Sequence, residues 1–125
     1  MNIFGVGIDI VEIQRIKETY SRYGERFARK ILSNSELRNF YKNKNKISFL
    51  AKRFAAKEAV GKALGVGIKN GSILKNIEIK NDLNGKPFVN INNIKKLNMT
   101  EKKEIHISLS DEKKYAVANA LIISE

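Results

Sequence analysis

The strongest structural prediction comes from residues 47–64, ISFLAKRFAAKEAVGKAL. Apolar side chains recur at three- and four-residue spacing from Ile47 to Ala55, which places them on one face of an α-helix. Gly65 and Gly67 follow directly, and glycine is the residue at which helices most often end. We therefore predict a long helix over this segment, with its apolar stripe facing the core.

A first strand is predicted over residues 3–10. This run is apolar and rich in β-branched residues, so we expect the strand to be buried. Gly5 and Gly7 within it would let another backbone approach closely. Two interpretations of Asp9 are open: a cap for the following helix, or a carboxylate held at the rim of a sheet, where ligands often dock.

Short helices are predicted between the first strand and the long helix. Ile13 and Ile16 have helical spacing, and Gly24 interrupts the pattern. Residues 33–36 have the spacing of a capping box, which predicts that another helix begins there. The side chains of that helix expected to point inward are Leu37, Phe40 and Tyr41.

The second half of the chain is predicted to be mainly strands. Ile77 and Ile79 alternate with charged residues, and the turn at 84–85 is typical of a hairpin. A short helix over 92–99 and two further strands, over 104–110 and 115–123, complete the pattern. Helices early and strands late predict an α+β fold: one compact domain, residues 1–125, with a largely antiparallel sheet packed against the long helix.

Composition limits the chemistry that the chain can perform. Cysteine is absent and histidine occurs once, which excludes disulfides, thiol catalysis and multi-histidine metal sites. A bound metal would therefore be a hard ion held by carboxylates. No apolar run is long enough to span a membrane, and the N-terminus lacks the basic region of a signal peptide, so we expect a cytoplasmic protein.

The net charge of +11 favours an anionic partner. The excess is uneven, because residues 13–57 carry 13 basic and 3 acidic side chains. Composition drift, in a chain rich in lysine, isoleucine and asparagine, is an equally weighted explanation of the total. A small basic nucleic-acid-binding module is an alternative function, although the basic residues are not interleaved with aromatic side chains as a stacking surface would require.

Glu58 is the most informative polar residue of the long helix. It lies on one face with Leu50, Phe54 and Lys62, each four residues from the next. The simplest interpretation is a Glu58–Lys62 ion pair. A second interpretation is a divalent cation shared with Asp9: two carboxylates, no soft ligands and nearby lysines suit Mg²⁺ bound to a phosphate-containing substrate.

Two segments make the chain similar to a known family. Residues 5–13, GVGIDIVEI, and residues 53–68, RFAAKEAVGKALGVGI, resemble the two motifs of the holo-[acyl-carrier-protein] synthases, the small 4′-phosphopantetheinyl transferases. Weaker similarity at 31–37, 84–87 and 106–116 extends the resemblance over nearly the whole chain.

The resemblance implies an activity and a set of residues. Members of the family transfer the phosphopantetheine arm of coenzyme A to a serine of an apo acyl carrier protein, in support of fatty acid synthesis. They use Mg²⁺, and they form homotrimers with active sites at subunit boundaries.

By position, Asp9 and Glu58 would bind the metal. Glu58, or a water that it holds, would take the serine proton, and Lys62 would contact phosphate. The weaker candidates for the nucleotide end are Arg53, Gly65, Asn84, Gly85, Lys86 and His106. Some relatives have histidine where Asp111 stands, so an anionic side chain there argues against a phosphate contact.

The family resemblance also implies a function for the positive charge. Carrier proteins of this kind are acidic, and the early helices would offer them a basic docking surface. The docking residues implied are Arg15, Arg22, Arg26 and Lys30. No nucleic-acid partner is expected on this interpretation. A related transferase that serves a synthase domain instead of a free carrier protein is a third hypothesis.

Overall fold

The computed structural model describes residues 1–66 and 73–124. Along this part of the chain, one strand comes first, then four helices, then four more strands. Within these ranges no helix combines the length and the apolarity needed to cross a membrane. The strands are β1 (Asn2–Glu12), β2 (Ile77–Asn81), β3 (Pro87–Ile91), β4 (Glu104–Asp111) and β5 (Tyr115–Ser124). The helices are α1 (Ile13–Tyr23), α2 (Glu25–Ile31), α3 (Asn34–Lys42) and α4 (Lys46–Leu64), with short 3₁₀ turns at Leu74–Asn76 and Ile94–Leu97.

The strands form two antiparallel sheets. One contains three strands in the order β1-β5-β4, and the other is the β2–β3 hairpin. Helix α4 lies across β1 and β5 and covers the inner face of the larger sheet. This arrangement confirms the predicted α+β fold, its antiparallel strands and the central position of the long helix.

The contact between β1 and α4 depends on two glycines. A Cβ added to Gly5 would lie 1.9 Å from the carbonyl oxygen of Ala63, and one added to Gly7 would lie 2.0 Å from that of Ala59. Neither position leaves room for a side chain, because the backbones of strand and helix are in direct contact there. The close approach predicted from the two glycines is therefore present.

The expectation that β1 is buried is wrong for one of its faces. Val6, Ile8 and Ile10 point away from α4 and are exposed by 64%, 62% and 64%. The glycine face is the buried one, because only residues without bulk fit beneath α4. The β-branched side chains consequently lie on the outer face of the sheet, which no other element of the described chain covers.

Helix ends follow the sequence closely. Ser33 and Glu36 form the predicted capping box at the start of α3, and Gly65 ends α4 in the left-handed conformation with φ of 78°. Gly67, the other predicted end position, lies outside the described residues. Of the side chains predicted to point inward, Phe40 is fully buried, whereas the prediction for Tyr41 is wrong. Tyr41 is 45% exposed, because α3 turns that side of the helix outward.

Candidate active site

Asp9 and Glu58 come from different elements and line the same pocket. Asp9 pairs with Ala118 across the sheet, which places it on the inner face of β1, the face that Gly5 and Gly7 press against α4. Glu58 precedes the contact residue Ala59 on α4. The open pocket that they share has a volume of about 350 Å³. The glycine-mediated contact thus brings together two carboxylates that lie far apart in the sequence.

The structure excludes one of the two interpretations of Asp9. Strand β1 continues through Asp9 to Glu12, and it is Glu12 that occupies the capping position of α1, without a side-chain capping bond. Asp9 is therefore not a helix cap. Its carboxylate faces the pocket from within the strand.

Lys62 binds Asp9 and not Glu58. Its ammonium group donates to a carboxylate oxygen of Asp9 at 3.1 Å and to the carbonyl oxygen of Ile8 at 2.9 Å. The interpretation of Glu58 and Lys62 as an ion pair is wrong, because the close approach of β1 places acceptors within reach of Lys62 that the helical spacing alone does not reveal. The ammonium offsets the charge of Asp9 directly and that of Glu58 from further away.

Glu58 is half-buried, and its surroundings disfavour its charged form. Burial and the neighbouring negative charge of Asp9 raise the pKa of Glu58, while the positive charge of Lys62 opposes the shift. A divalent cation between the two carboxylates would remove their mutual repulsion.

The two carboxylates fit a hard metal ion that takes its remaining ligands from water and substrate. Among residues 1–66 and 73–124, no three side chains of His, Cys, Asp or Glu gather closely enough to enclose a metal. Two carboxylates with open space beside them match the preference of Mg²⁺ for one or two protein carboxylates plus water and substrate phosphate oxygens.

A second open pocket, of about 370 Å³, contains part of the predicted nucleotide-binding set. Arg53 and Gly85 line it together with Phe49, Pro87 and Asp111. The guanidinium of Arg53 lies 4.5 Å from the centre of the Phe49 ring, a cation–π contact. Asp111 accepts a hydrogen bond from Ser48 at 2.9 Å, so an anionic acceptor does stand at the rim of this pocket.

The other predicted nucleotide residues lie elsewhere. Asn84 and Lys86 are exposed in the β2–β3 turn, where Asp82 accepts hydrogen bonds from both backbone amides. Gly65 lies one turn beyond Lys62 at the end of α4. His106 pairs with Leu121 on the outer face of the sheet and contacts Glu104 at 3.0 Å. It lines neither the pocket of Asp9 and Glu58 nor the pocket of Arg53.

The four predicted docking residues are exposed on α1 and α2. Arg15 lines the pocket of Asp9 and Glu58, whereas Arg26 and Lys30 line an adjacent groove. Arg22 lies in the last turn of α1. Thr19 and Phe27 line both cavities, so the two cavities adjoin. The sequence patterns assign neither residue to a functional site.

Comparisons with known proteins agree on one family. Residues 5–120 match the model of the 4′-phosphopantetheinyl transferase superfamily. The holo-[acyl-carrier-protein] synthase of Aliivibrio fischeri (strain MJ11) is 46% identical over 127 residues, covering 99% of this chain and 100% of that protein.

Two crystal structures show the same fold. That of holo-[acyl-carrier-protein] synthase from Neisseria meningitidis has a TM-score of 0.87 at 34% identity and covers 98% of this chain and 100% of the other. The synthase from Bacillus anthracis, in complex with CoA (3′,5′-ADP), has a TM-score of 0.82 at 34% identity and covers 98% of both chains.

Proposed function

Because the chain belongs to the 4′-phosphopantetheinyl transferase superfamily and is an enzyme of its holo-[acyl-carrier-protein] synthase group, we propose that it modifies an apo acyl carrier protein. The serine hydroxyl of the carrier forms a bond to the phosphorus that bears pantetheine. The pyrophosphate bond of coenzyme A breaks, and adenosine 3′,5′-bisphosphate leaves. The observation that carries the proposal is the convergence of Asp9 and Glu58 in one pocket. Residues 1–125 would form one transferase domain.

Glu58 is the proposed base of the reaction. Its raised pKa makes its carboxylate a stronger proton acceptor than an ordinary glutamate. Either the carboxylate or a water that it holds would take the proton of the serine hydroxyl.

Asp9 and Glu58 would also hold the metal. Mg²⁺ bound there would neutralise charge on the pyrophosphate oxygens. Lys62, with 56% of its side chain exposed, is held by the carbonyl of Ile8 and by Asp9, which lines this pocket. Its ammonium is therefore available to a phosphate of coenzyme A.

The pocket beside Arg53 is the proposed site for the nucleotide end of coenzyme A. A buried guanidinium, a glycine turn and the apolar surfaces of Phe49 and Pro87 offer charge and flat contact area to a nucleotide. Asp111 offers a hydrogen-bond acceptor there, and its charge makes a phosphate contact with that residue unfavourable.

The basic surface of α1 and α2 is the proposed docking site for an acidic carrier protein. Arg26 and Lys30 flank Phe27 and Tyr23, so positive charge surrounds an apolar groove. The groove adjoins the pocket of Asp9 and Glu58, because Thr19 and Phe27 line both. A carrier seated there would place its serine beside the pocket that contains Glu58. Its association should slow as salt is added.

The outer face of the sheet supports association of subunits, which would form the homotrimer that the family resemblance implies. Ile3, Val6, Ile8 and Ile10 leave an apolar strand exposed along the length of β1, and an uncovered apolar surface of this kind is typical of subunit interfaces. His106 lies on the same face, so association would place it at a subunit boundary.

Intact-protein mass spectrometry tests the proposed activity. Incubation of apo acyl carrier protein with the enzyme, coenzyme A and Mg²⁺ should increase the carrier mass by one phosphopantetheine. Omission of Mg²⁺ should prevent the increase. A correctly folded carrier whose mass does not change under the complete conditions would contradict the proposal. Comparison of a free carrier with a synthase domain as acceptor would separate the two transferase hypotheses.

A further inference from the structure

A cluster of charged side chains is buried behind the nucleotide pocket. Glu36 and Lys57 are exposed by only 1% and 0%, and Arg53 by 6%. Buried charges are costly unless they are paired and hydrogen-bonded. The proposed reaction uses neither Glu36 nor Lys57, so their burial requires another explanation.

Glu36 contacts four groups through its two carboxylate oxygens. One oxygen accepts from the backbone amide of Ser33 at 2.8 Å and from Lys57 at 2.5 Å. The other accepts from the backbone amide of Ile79 at 2.9 Å and lies 3.7 Å from Nε of Arg53. Lys57 also donates to two backbone carbonyl groups, those of Ile31 and Leu74. Helix α3, helix α4 and strand β2 therefore meet at one carboxylate.

Further hydrogen bonds link Arg53 to the residues that form the wall of the nucleotide pocket. Arg53 donates to the side-chain oxygen of Asn81 at 3.1 Å, and the amide of Asn81 donates to the carbonyl of Gly85 at 3.0 Å. Asn81 lies two residues beyond Ile79 on β2. Glu36 thus fixes Arg53 on α4 and, through Ile79, the strand that carries Asn81 and the turn at Gly85.

The position of Arg53 depends on the charge of Glu36 more than on a hydrogen bond to it. Nε of Arg53 is buried and has no hydrogen-bond partner in the described part of the chain. The nearest negative charge is the carboxylate of Glu36. Loss of that charge would leave the buried guanidinium with its hydrogen bond to Asn81 and its contact with Phe49.

We propose that Glu36, with its charge balanced by Lys57, is a positioning residue that holds Arg53 and the Gly85 turn in the geometry that binds the nucleotide end of coenzyme A. The inference rests on the proposed function. A role in folding alone would predict that a folded variant lacking the pair binds nucleotide normally.

Calorimetric binding of adenosine 3′,5′-bisphosphate separates these roles. The variant Glu36→Gln/Lys57→Met removes both charges and keeps the side-chain volumes. Lys57 is then not left as an unpaired buried charge, and Arg53 is the residue that loses its anionic partner. We expect it to bind about tenfold more weakly than the wild type, equivalent to about 1.4 kcal/mol. Its KM for coenzyme A should rise by a similar factor, with kcat and the KM for carrier protein unchanged. Glu25→Gln, at an exposed residue of α2, is the matched control and should bind as the wild type does.

A coupling measurement shows whether Glu36 acts through Arg53. Arg53→Gln should itself weaken binding, and the triple variant should lose less affinity than the product of the two separate losses, because both changes remove the contact between Glu36 and Arg53. Losses that multiply in the triple variant, or wild-type affinity in a folded Glu36→Gln/Lys57→Met protein, would overturn the inference. Absence of binding to the wild type would instead contradict the proposed function, and the inference with it.

A second variant covers the case in which the double variant does not fold. Glu36→Asp keeps a negative charge beside Lys57 but withdraws the carboxylate from Arg53 and Ile79. Its affinity for adenosine 3′,5′-bisphosphate should fall about threefold or more, since a hydrogen bond to a charged group is weakened. Unchanged affinity in the folded Glu36→Asp protein would overturn the inference equally.

Discussion

Glu58 is proposed both to accept a proton and to bind the metal ion. Burial and the charge of Asp9 raise its pKa, which favours proton transfer, while metal binding requires the carboxylate form. A glutamine at this position would have nearly the same size, but it would neither accept the serine proton nor bind a hard cation with its charge.

Glu58→Gln should therefore lower kcat by at least about a hundredfold, the contribution of a general base, without loss of fold. The measurement is the rate of carrier mass gain, with circular dichroism as the check on folding. Glu101→Gln, which changes an exposed glutamate paired with Lys103, should retain wild-type turnover. Turnover of Glu58→Gln close to that of the wild type would show that the site is misplaced.

Glu78 determines part of the acid stability. Burial alone would raise its pKa, but hydrogen bonds from Ser33, Ser35 and Asn90 outweigh burial and lower the pKa to about 2 from the usual 4.5. The folded state thus favours the carboxylate. Its stabilisation is complete above the unfolded pKa and is lost as the pH falls from 4.5 towards 2.

Glu78→Gln should reduce the free energy of unfolding at neutral pH by about 2 kcal/mol, since the serine hydroxyls lose a charged acceptor. The deficit should shrink as the pH approaches 2. Urea titrations of both proteins across this range measure it. A deficit that is independent of pH would contradict the role assigned to the carboxylate.

The contact between β1 and α4 determines where the carboxylates of Asp9 and Glu58 meet. Gly5 and Gly7 let the strand approach the carbonyl oxygens of Ala59 and Ala63. Asp9 follows on the same face of the strand, and Glu58 lies beside Ala59. Any side chain between the two backbones would separate the carboxylates as well as destabilise the fold.

Gly7→Ala should accordingly destabilise the protein by at least about 3 kcal/mol, the upper range for overpacking a core. Gly65→Ala is the matched control: nothing lies within 4 Å of its added Cβ, and only its φ of 78° opposes the change, at about 1 kcal/mol. Chemical denaturation of both variants gives the comparison. Equal losses would contradict the direct backbone contact at Gly7.

Sequence patterns predicted those elements whose signals are local. The capping box of α3, the glycine end of α4 and the hairpin turn at 84–85 each depend on a few neighbouring residues. The buried side of β1 could not be predicted in the same way, because it depends on how closely the backbone of α4 approaches the strand. The interpretation of Lys62 as the partner of Glu58 is wrong, because helical spacing takes no account of a strand that passes close to the helix. The convergence of Asp9 and Glu58 is one of two interpretations that the chemistry of the residues leaves open, and the family motifs imply it. Periodicity alone does not predict it.

At the scale of the whole molecule, the uncovered face of the larger sheet requires an explanation. Its β1 strand presents Val6, Ile8 and Ile10 outward, and β5 contributes Val117 and Leu121 alongside them. Subunit association would bury this face, which fits the proposed homotrimer with sites at its boundaries.

Ile8→Lys should convert the assembly to monomers, because it places a charge at the centre of the proposed interface. Light scattering after size-exclusion chromatography measures the mass of wild type and variant. Leu83→Lys is the control, since Leu83 is fully exposed at the hairpin turn and should leave the mass unchanged. A monomeric wild type, or an assembled Ile8→Lys variant, would contradict the proposed interface.

A crystal structure of the enzyme with coenzyme A and Mg²⁺ tests the central claim most directly. We expect one oxygen from Asp9 and one from Glu58 at about 2.1 Å from a single ion that also binds the pyrophosphate. An ion held by other residues, or carboxylates that point apart in the complex, would contradict the account.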